Sequence, residues 1–147
     1  MSDLKVRLVK NDKDLKLIFK IRKIVFLKEQ KITPRLEFDK FDKLGKNVKH
    51  IIASYENKPV GCARIRFLGN KAKLERIAIL KGFRSRGFGK SLLIFMINYS
   101  KHKTAKLIIM DAQYYAVGFY KKLGFKSNGK PYMEAGIKHI DMHMKTG

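Results

Sequence analysis

GFRSRGFGKS, residues 82–91, lies between a β-branched apolar run and a long hydrophobic segment, and its reading decides the fold. Its Gly-Lys-Ser ending suggests a nucleoside-triphosphate loop, but that motif is G-x-x-x-x-G-K-S/T, and its first glycine would fall on Arg84. Reading instead from Gly82 to Gly87 puts Phe88 where the lysine belongs. The dinucleotide pattern G-x-G-x-x-G fails too, because Gly87-Phe88-Gly89 is followed by Leu92 and the preceding strands read as antiparallel. What remains is a helix N-terminus rich in glycine and positive charge. Unpartnered N–H groups and the helix dipole attract phosphate oxygens there. Gly87 and Gly89 let the main chain approach a ligand without an intervening Cβ. Arg84, Arg86 and Lys90 add charge at the same place.

The flanking segments set this loop in a mixed sheet. After it, GFGKSLLIFMINYSK (87–101) is apolar on nearly every side and reads as a helix buried against a sheet. KLIIMDA (106–112) is an apolar strand, YYAVGFYKKLG (114–124) a helix stopped by Gly124, and residues 125–133 and 137–145 are two tail strands. Before it, KHIIASY (49–55), PVGCARIRF (59–67) and AKLERIAIL (72–80) form an antiparallel meander turning at Glu56-Asn57-Lys58-Pro59 and Gly69-Asn70. LKVRLV (4–9) alternates as a half-buried strand does. Residues 11–30 place Leu15, Ile18, Phe19, Arg22, Val25 and Phe26 on one helical face, with Asn11 or Asp12 as N-cap. Thr33-Pro34 opens a short helix expected to end near Gly45. The order β-α-α-β-β-β-α-β-α-β-β predicts an α/β (α+β) domain, a mixed and mostly antiparallel sheet with helices on its faces.

Composition bounds the rest. A chain of 147 residues without an internal repeat or linker reads as one domain, 1–147. A single cysteine, Cys62, cannot form an internal disulfide. The start of the chain lacks the apolar core of a secretory signal, and no apolar run approaches the roughly 20 residues that span a bilayer, so the expected location is cytoplasmic with no membrane partner. The outlier is charge. Lys and Arg number 34 against 12 Asp and Glu, a net charge of +22. Such a field attracts polyanions without choosing among them. No RNA-recognition signature accompanies it, so a nucleic-acid or ribosome-associated module is the alternative rather than the leading reading.

LERIAILKGFRSRGFGKSLL (74–93) resembles the GNAT superfamily of acyl-CoA-dependent N-acyltransferases, whose loop has the form R/Q-x-x-G-x-G/A. The resemblance implies that Arg84, Ser85, Arg86, Gly87, Phe88, Gly89 and Lys90 hold the diphosphate of acetyl-CoA. It further implies that Ile77, Ala78 and Ile79 bind the pantetheine arm through backbone groups. AVGFYKKLGF (116–125) is similar to the family's A-x-x-F-Y-x-x-x-G-F helix and aligns Tyr120 with the acid that protonates the departing thiolate. IRKIVFLKEQ (21–30) and EAGIKHIDM (134–142) are similar to a small bacterial-type subgroup. The implied architecture is a six- to seven-stranded sheet with about four helices. The implied activity is transfer of an acetyl group to a primary amine of a small molecule, with no metal.

For the base, period-2 alternation puts Glu75 on the same face as Ile77, within reach of an acceptor amine; the competing reading pairs Glu75 with Arg64, Arg66 or Arg76. His139 and Glu29 are secondary candidates for the acceptor pocket, and Cys62 reads as a core residue. The positive surface favours an anionic acceptor such as an amino-sugar phosphate, and edge strands offer a route to a homodimer. A protein of this fold that senses acyl-CoA without transferring the acyl group is the third reading.

Overall fold

The computed structural model describes residues 3–147. All seven expected strands form: β1 (Lys5–Leu8), β2 (Val48–Tyr55), β3 (Lys58–Leu68), β4 (Lys71–Ile79), β5 (Leu107–Gln113), β6 (Lys126–Glu134) and β7 (Ile137–Lys145). They make one sheet in the order β1-β2-β3-β4-β5-β7-β6, antiparallel throughout except where β4 meets β5. Helices α1 (Asp12–Arg22), α2 (Pro34–Glu37), α3 (Phe88–His102) and α4 (Val117–Lys122) complete the α/β architecture expected from the element order. The β2–β3 turn has positive φ at Glu56 and Asn57, and the β6–β7 turn has it at Ala135 and Gly136. Two such residues in a row match the twist of the strands they join.

Alternation along the strands divides the core in two. Leu92, Leu93 and Met96 of α3 and Tyr120 of α4 pack on Ile51, Ala63, Ile65 and Leu74. Leu15, Ile18 and Ile21 of α1 pack on the opposite face, against Ile52, Cys62 and Ala78. The helices therefore sandwich the sheet.

Two helices differ from their sequence patterns. Asn11 caps α1, its side chain accepting from the Asp14 amide at 2.8 Å, but the helix widens after Arg22 into a π-helical segment, Lys23–Glu29. The Gln30 amide accordingly reaches back five residues to the Val25 carbonyl. α2 is a single turn and stops at Glu37, well short of Gly45. The cause is the aspartates that follow. Asp39 accepts from the Phe41 amide and Asp42 from the Asp39 amide, bonds that compete with helix continuation.

Gly118 sits in the first turn of α4 with open space where a Cβ would be. Gly118→Ala is expected to stabilise the fold by about 0.5–1 kcal/mol, because alanine loses less backbone entropy on folding. A thermal melt should show a rise of roughly 2–4 °C.

Candidate active site

The site begins where the sheet opens. β4 and β5 pair only over Lys71–Lys73 and Leu107–Ile109, and beyond that the parallel strands part. Leu74 to Ile79 on one side and Met110 to Gln113 on the other line a cleft of about 540 Å³. Backbone groups of β4 facing this gap have lost their strand partner, which makes them available to an extended ligand. Ile77, Ala78 and Ile79 all lie here, where the resemblance puts the pantetheine arm.

A bulge in β4 adjusts the geometry. Cys62 faces Ala78 and Arg64 faces Glu75, so Arg76 and Ile77 together oppose Ala63, with Arg76 at φ 56°. An extra residue flips the alternation of the strand. Ala72 and Leu74 pack with the α3 core before the bulge, and Ile77 and Ile79 pack with it afterwards. Glu75 and Ile77 thus do not share a face, and the alternation argument for Glu75 is corrected on this point. Gly61, opposite Ile79, belongs to the same construction. A Cβ there would come within 2.6 Å of the Ile79 side chain and 3.0 Å of the Ala78 carbonyl.

Glu75 lines the cleft, but its carboxylate is held by Arg64 at 2.8 Å and by the Arg66 guanidinium. They belong to a larger network that the one-dimensional pattern did not show. Buried Arg64 also bonds Asp39 at 2.7 Å and Asp42 at 3.0 Å. Buried Arg22 bonds Glu37 at 2.8 Å and pairs with Asp42. Desolvation works against the charge of Asp39 and Asp42, yet Arg64 and Arg22 respectively outweigh it and hold both carboxyls below their ordinary range. At Glu37 burial prevails and pushes the carboxyl up despite Arg22 and Arg76. Arg22 and Arg64 are raised, because their carboxylate partners overcome the cost of burial. The network fixes the floor of the cleft beneath α2.

The glycine-rich loop runs from the end of β4 into α3. Ser85 and Gly87 have positive φ, 64° and 80°, with Gly87 as the residue preceding the helix. Main-chain amides of residues 85–90 find no acceptor among the described residues. Alternating left- and right-handed residues of this kind form an anion-binding concavity. Nothing lies within 4 Å of a Cβ position at Gly87, while one at Gly89 would meet Phe119 at 3.6 Å. Phe88 is buried under Tyr55, their rings 5.1 Å apart, and anchors the helix start. The loop cations are not equivalent. Arg86 lies over the rings of Phe83 and Tyr55, at 5.2 and 5.8 Å. Arg84 makes two 2.9 Å bonds to Glu29 and donates to the Ile79 carbonyl at 2.8 Å, so its side chain ties the loop to the π-helical segment. Lys90 has no carboxylate partner among the described residues.

Tyr120 is buried with its ring edge-on to Phe119 and Phe125, and it lines the cleft. Its hydroxyl has no hydrogen-bond partner among the described residues. Burial pushes the phenol up, with a smaller contribution from Tyr115. Cys62 is fully buried on the α1 side, its thiol pushed up to about 12 by desolvation, which leaves it inert as a nucleophile.

Two residues absent from the sequence reading and one candidate from it close the cleft. Gln30, at the end of the π-helical segment, and Gln113, at the end of β5, exchange side-chain hydrogen bonds of 3.1 and 2.9 Å. Gln30 stands in the quoted helix segment, but only its pairing with a residue 83 positions away gives it a role. His139 faces Gln113 on the neighbouring strand, and its Nδ1 lies 2.7 Å from the Ile137 carbonyl. Its Nε2 is 3.8 Å from Glu134. Both residues line the cleft. No group of three or more potential metal ligands occurs among the described residues, and no helix among them is long and apolar enough to cross a membrane.

The chain is similar in sequence and in fold to known proteins. The profile of the acetyltransferase (GNAT) domain matches residues 27–146. YyaT of Bacillus subtilis, described only as an uncharacterized protein, is 39% identical over 139 residues, covering 95% of this chain and 94% of its own length. YjcF of the same organism, described as an uncharacterized N-acetyltransferase, is 36% identical over 140 residues, 95% of this chain and 98% of its own. Among solved structures, Escherichia coli ElaA superposes with a TM-score of 0.86 at 23% identity, over 99% of this chain and 100% of that one. The PaiA N-acetyltransferase of Thermoplasma acidophilum, solved in complex with coenzyme A, gives a TM-score of 0.76 at 18% identity, over 99% and 100%. A profile match across most of the chain and near full-length relatives lead to one conclusion: the chain belongs to the GNAT family of N-acetyltransferases.

Proposed function

We propose that this N-acetyltransferase uses acetyl-CoA as donor and moves its acetyl group to a primary amine of a small molecule by direct attack on the thioester. The supporting observation is the run of unpartnered amides at residues 85–90, which begins beside Arg84 at one end of the cleft that Tyr120 lines further in. Anionic oxygens satisfy those amides at a helix N-terminus, and Gly87 leaves room for them. The acetyl donor brings an activated carbonyl and a thiolate leaving group. The chain supplies the rest. Those backbone groups of Ile77 to Ile79 that face the gap and are not taken by β3 or Arg84 hold the extended arm, and an N–H of β4 polarises the carbonyl as charge develops. Tyr120 donates its uncommitted proton toward the departing sulfur. Glu75, clamped by Arg64 and Arg66, keeps β4 in register with β3 beneath the site and is in our reading a positioning residue.

Titration calorimetry with acetyl-CoA, followed by thiol detection over an amine library, tests the reading. Saturable binding and amine-dependent thiol release are expected. Binding without release with any amine would identify a sensor. Absence of binding, beside RNA affinity that falls steeply with salt, would favour the nucleic-acid module instead.

A further inference from the structure

The charges of the cleft run against those of the whole protein. Against a net charge of +22, every cation lining the cleft is already neutralised. Arg66 is bound to Glu75, Lys73 to Asp111 at 3.1 Å, Arg76 to Asp39 at 3.3 Å and Arg84 to Glu29. The carboxylates of the lining are spent as well: Asp39, Glu75 and Asp111 in these pairs and with Arg64, and Glu37 with Arg22 and Arg76. Glu134 is the exception. It lines the cleft with its side chain 54% exposed and has no arginine or lysine partner among the described residues. Its one ionisable neighbour is the imidazole of His139, which is itself buried.

The state of that imidazole follows from its contacts. A carbonyl oxygen 2.7 Å from Nδ1 requires a hydrogen there, so the neutral ring carries its lone pair on Nε2, the atom beside Glu134. Tyr132 of β6 stacks on the ring at 6.1 Å and donates its own hydroxyl to Asp141, leaving Nε2 uncontested. From β5 the ring faces the neutral Gln113, and Asp111 is taken by Lys73. On its own strand, Lys138 lies over Tyr114, 4.2 Å from the ring centre.

Resting on the acetyl-transfer reading above, we propose that Glu134 and His139 receive the acceptor as an ammonium ion, that His139 Nε2 takes its proton, and that the acceptor is a primary amine bearing no anionic group. This replaces the expectation of an amino-sugar phosphate, which rested on net charge. The bookkeeping closes. R–NH3⁺ gives one proton to Nε2, and the freed nitrogen pair forms the C–N bond. The C–S bond breaks with its electron pair on sulfur, and Tyr120 protonates the thiolate. The second nitrogen proton then restores the phenol, and His139 releases its proton to water. Overall, R–NH3⁺ and the thioester give the amide, the free thiol and H⁺.

The test uses acceptor pairs differing only in an anion: n-butylamine against 4-aminobutanoate, and glucosamine against glucosamine 6-phosphate. In each pair kcat/KM should be at least tenfold higher for the member without the anion; preference for the anionic member would overturn the proposal. Exposed Glu134 tolerates substitution, so Glu134→Gln is expected to keep the fold and raise KM for n-butylamine about tenfold. An unchanged KM counts against the site. For His139→Gln, turnover at pH 7 should drop at least tenfold with acetyl-CoA affinity intact. The deficit should close toward about pH 10, where free amine forms in solution. A loss constant across pH would mean a merely structural histidine and overturn the base assignment. Should no amine release thiol although the chain folds, the failure lies with acetyl transfer itself.

Discussion

A Gly87→Glu variant is expected to bind acetyl-CoA at least about a hundredfold more weakly than the parent, a loss of roughly 2.8 kcal/mol. Two independent costs combine. Gly87 holds φ at 80°, where a side chain costs roughly 1–2 kcal/mol. The new carboxylate would also project from the residue opening α3, among the amides offered to the diphosphate, and two like charges about 4 Å apart repel by up to about 4 kcal/mol near a protein surface. A control places the same residue on the same kind of backbone away from the loop. Gly129 has φ 79° and equally open space at its Cβ position, but lies on exposed β6. Gly129→Glu should thus bear the backbone penalty and leave calorimetric affinity unchanged. If both variants bind alike, the loop does not hold the diphosphate.

What the sequence made legible was whatever depends on neighbours along the chain. Alternation marked the strands, Asn-rich and Gly-rich turns marked two hairpins, and glycines beside cations marked the helix start as an anion site. Charge pairing across the fold was legible only at Glu75, where pairing with Arg64 or Arg66 was one of two readings and is the one the structure shows. Asp39 and Asp42 fall within the short helix expected to run to near Gly45, yet they end it, because local backbone bonds and the buried guanidiniums of Arg64 and Arg22 offer more than another helical turn. Glu75 shows the same limit from another side. Its face followed from counting in twos, and one inserted residue at Arg76 invalidates the count for everything after it. Glu29 and Gln30 stand where the helix widens and meet Arg84 and Gln113, so Glu29, a candidate for the acceptor pocket, ties down the loop instead. Such irregularities cluster around the cleft because regular strands and helices would have paired the very groups a ligand needs.

Tyr120→Phe should lower kcat about a hundredfold while leaving the KM for acetyl-CoA and the melting temperature nearly unchanged. The ring supplies the packing, through its edge contacts with Phe119 and Phe125, and phenylalanine keeps it. Only the hydroxyl is lost, and nothing else in the described structure bonds to it. Burial raises the phenol above its ordinary value, so it stays protonated across the neutral range and beyond. The parent enzyme's kcat should accordingly show no alkaline decline from this group below about pH 10. A thiolate formed in the same dry cleft is made more basic by the same desolvation, which keeps proton transfer between the two close to balanced. The variant leaves the sulfur to depart as a bare anion. Donors with better thiolate leaving groups should therefore narrow the gap between variant and parent, and a variant that matches the parent with acetyl-CoA would remove Tyr120 from the chemistry.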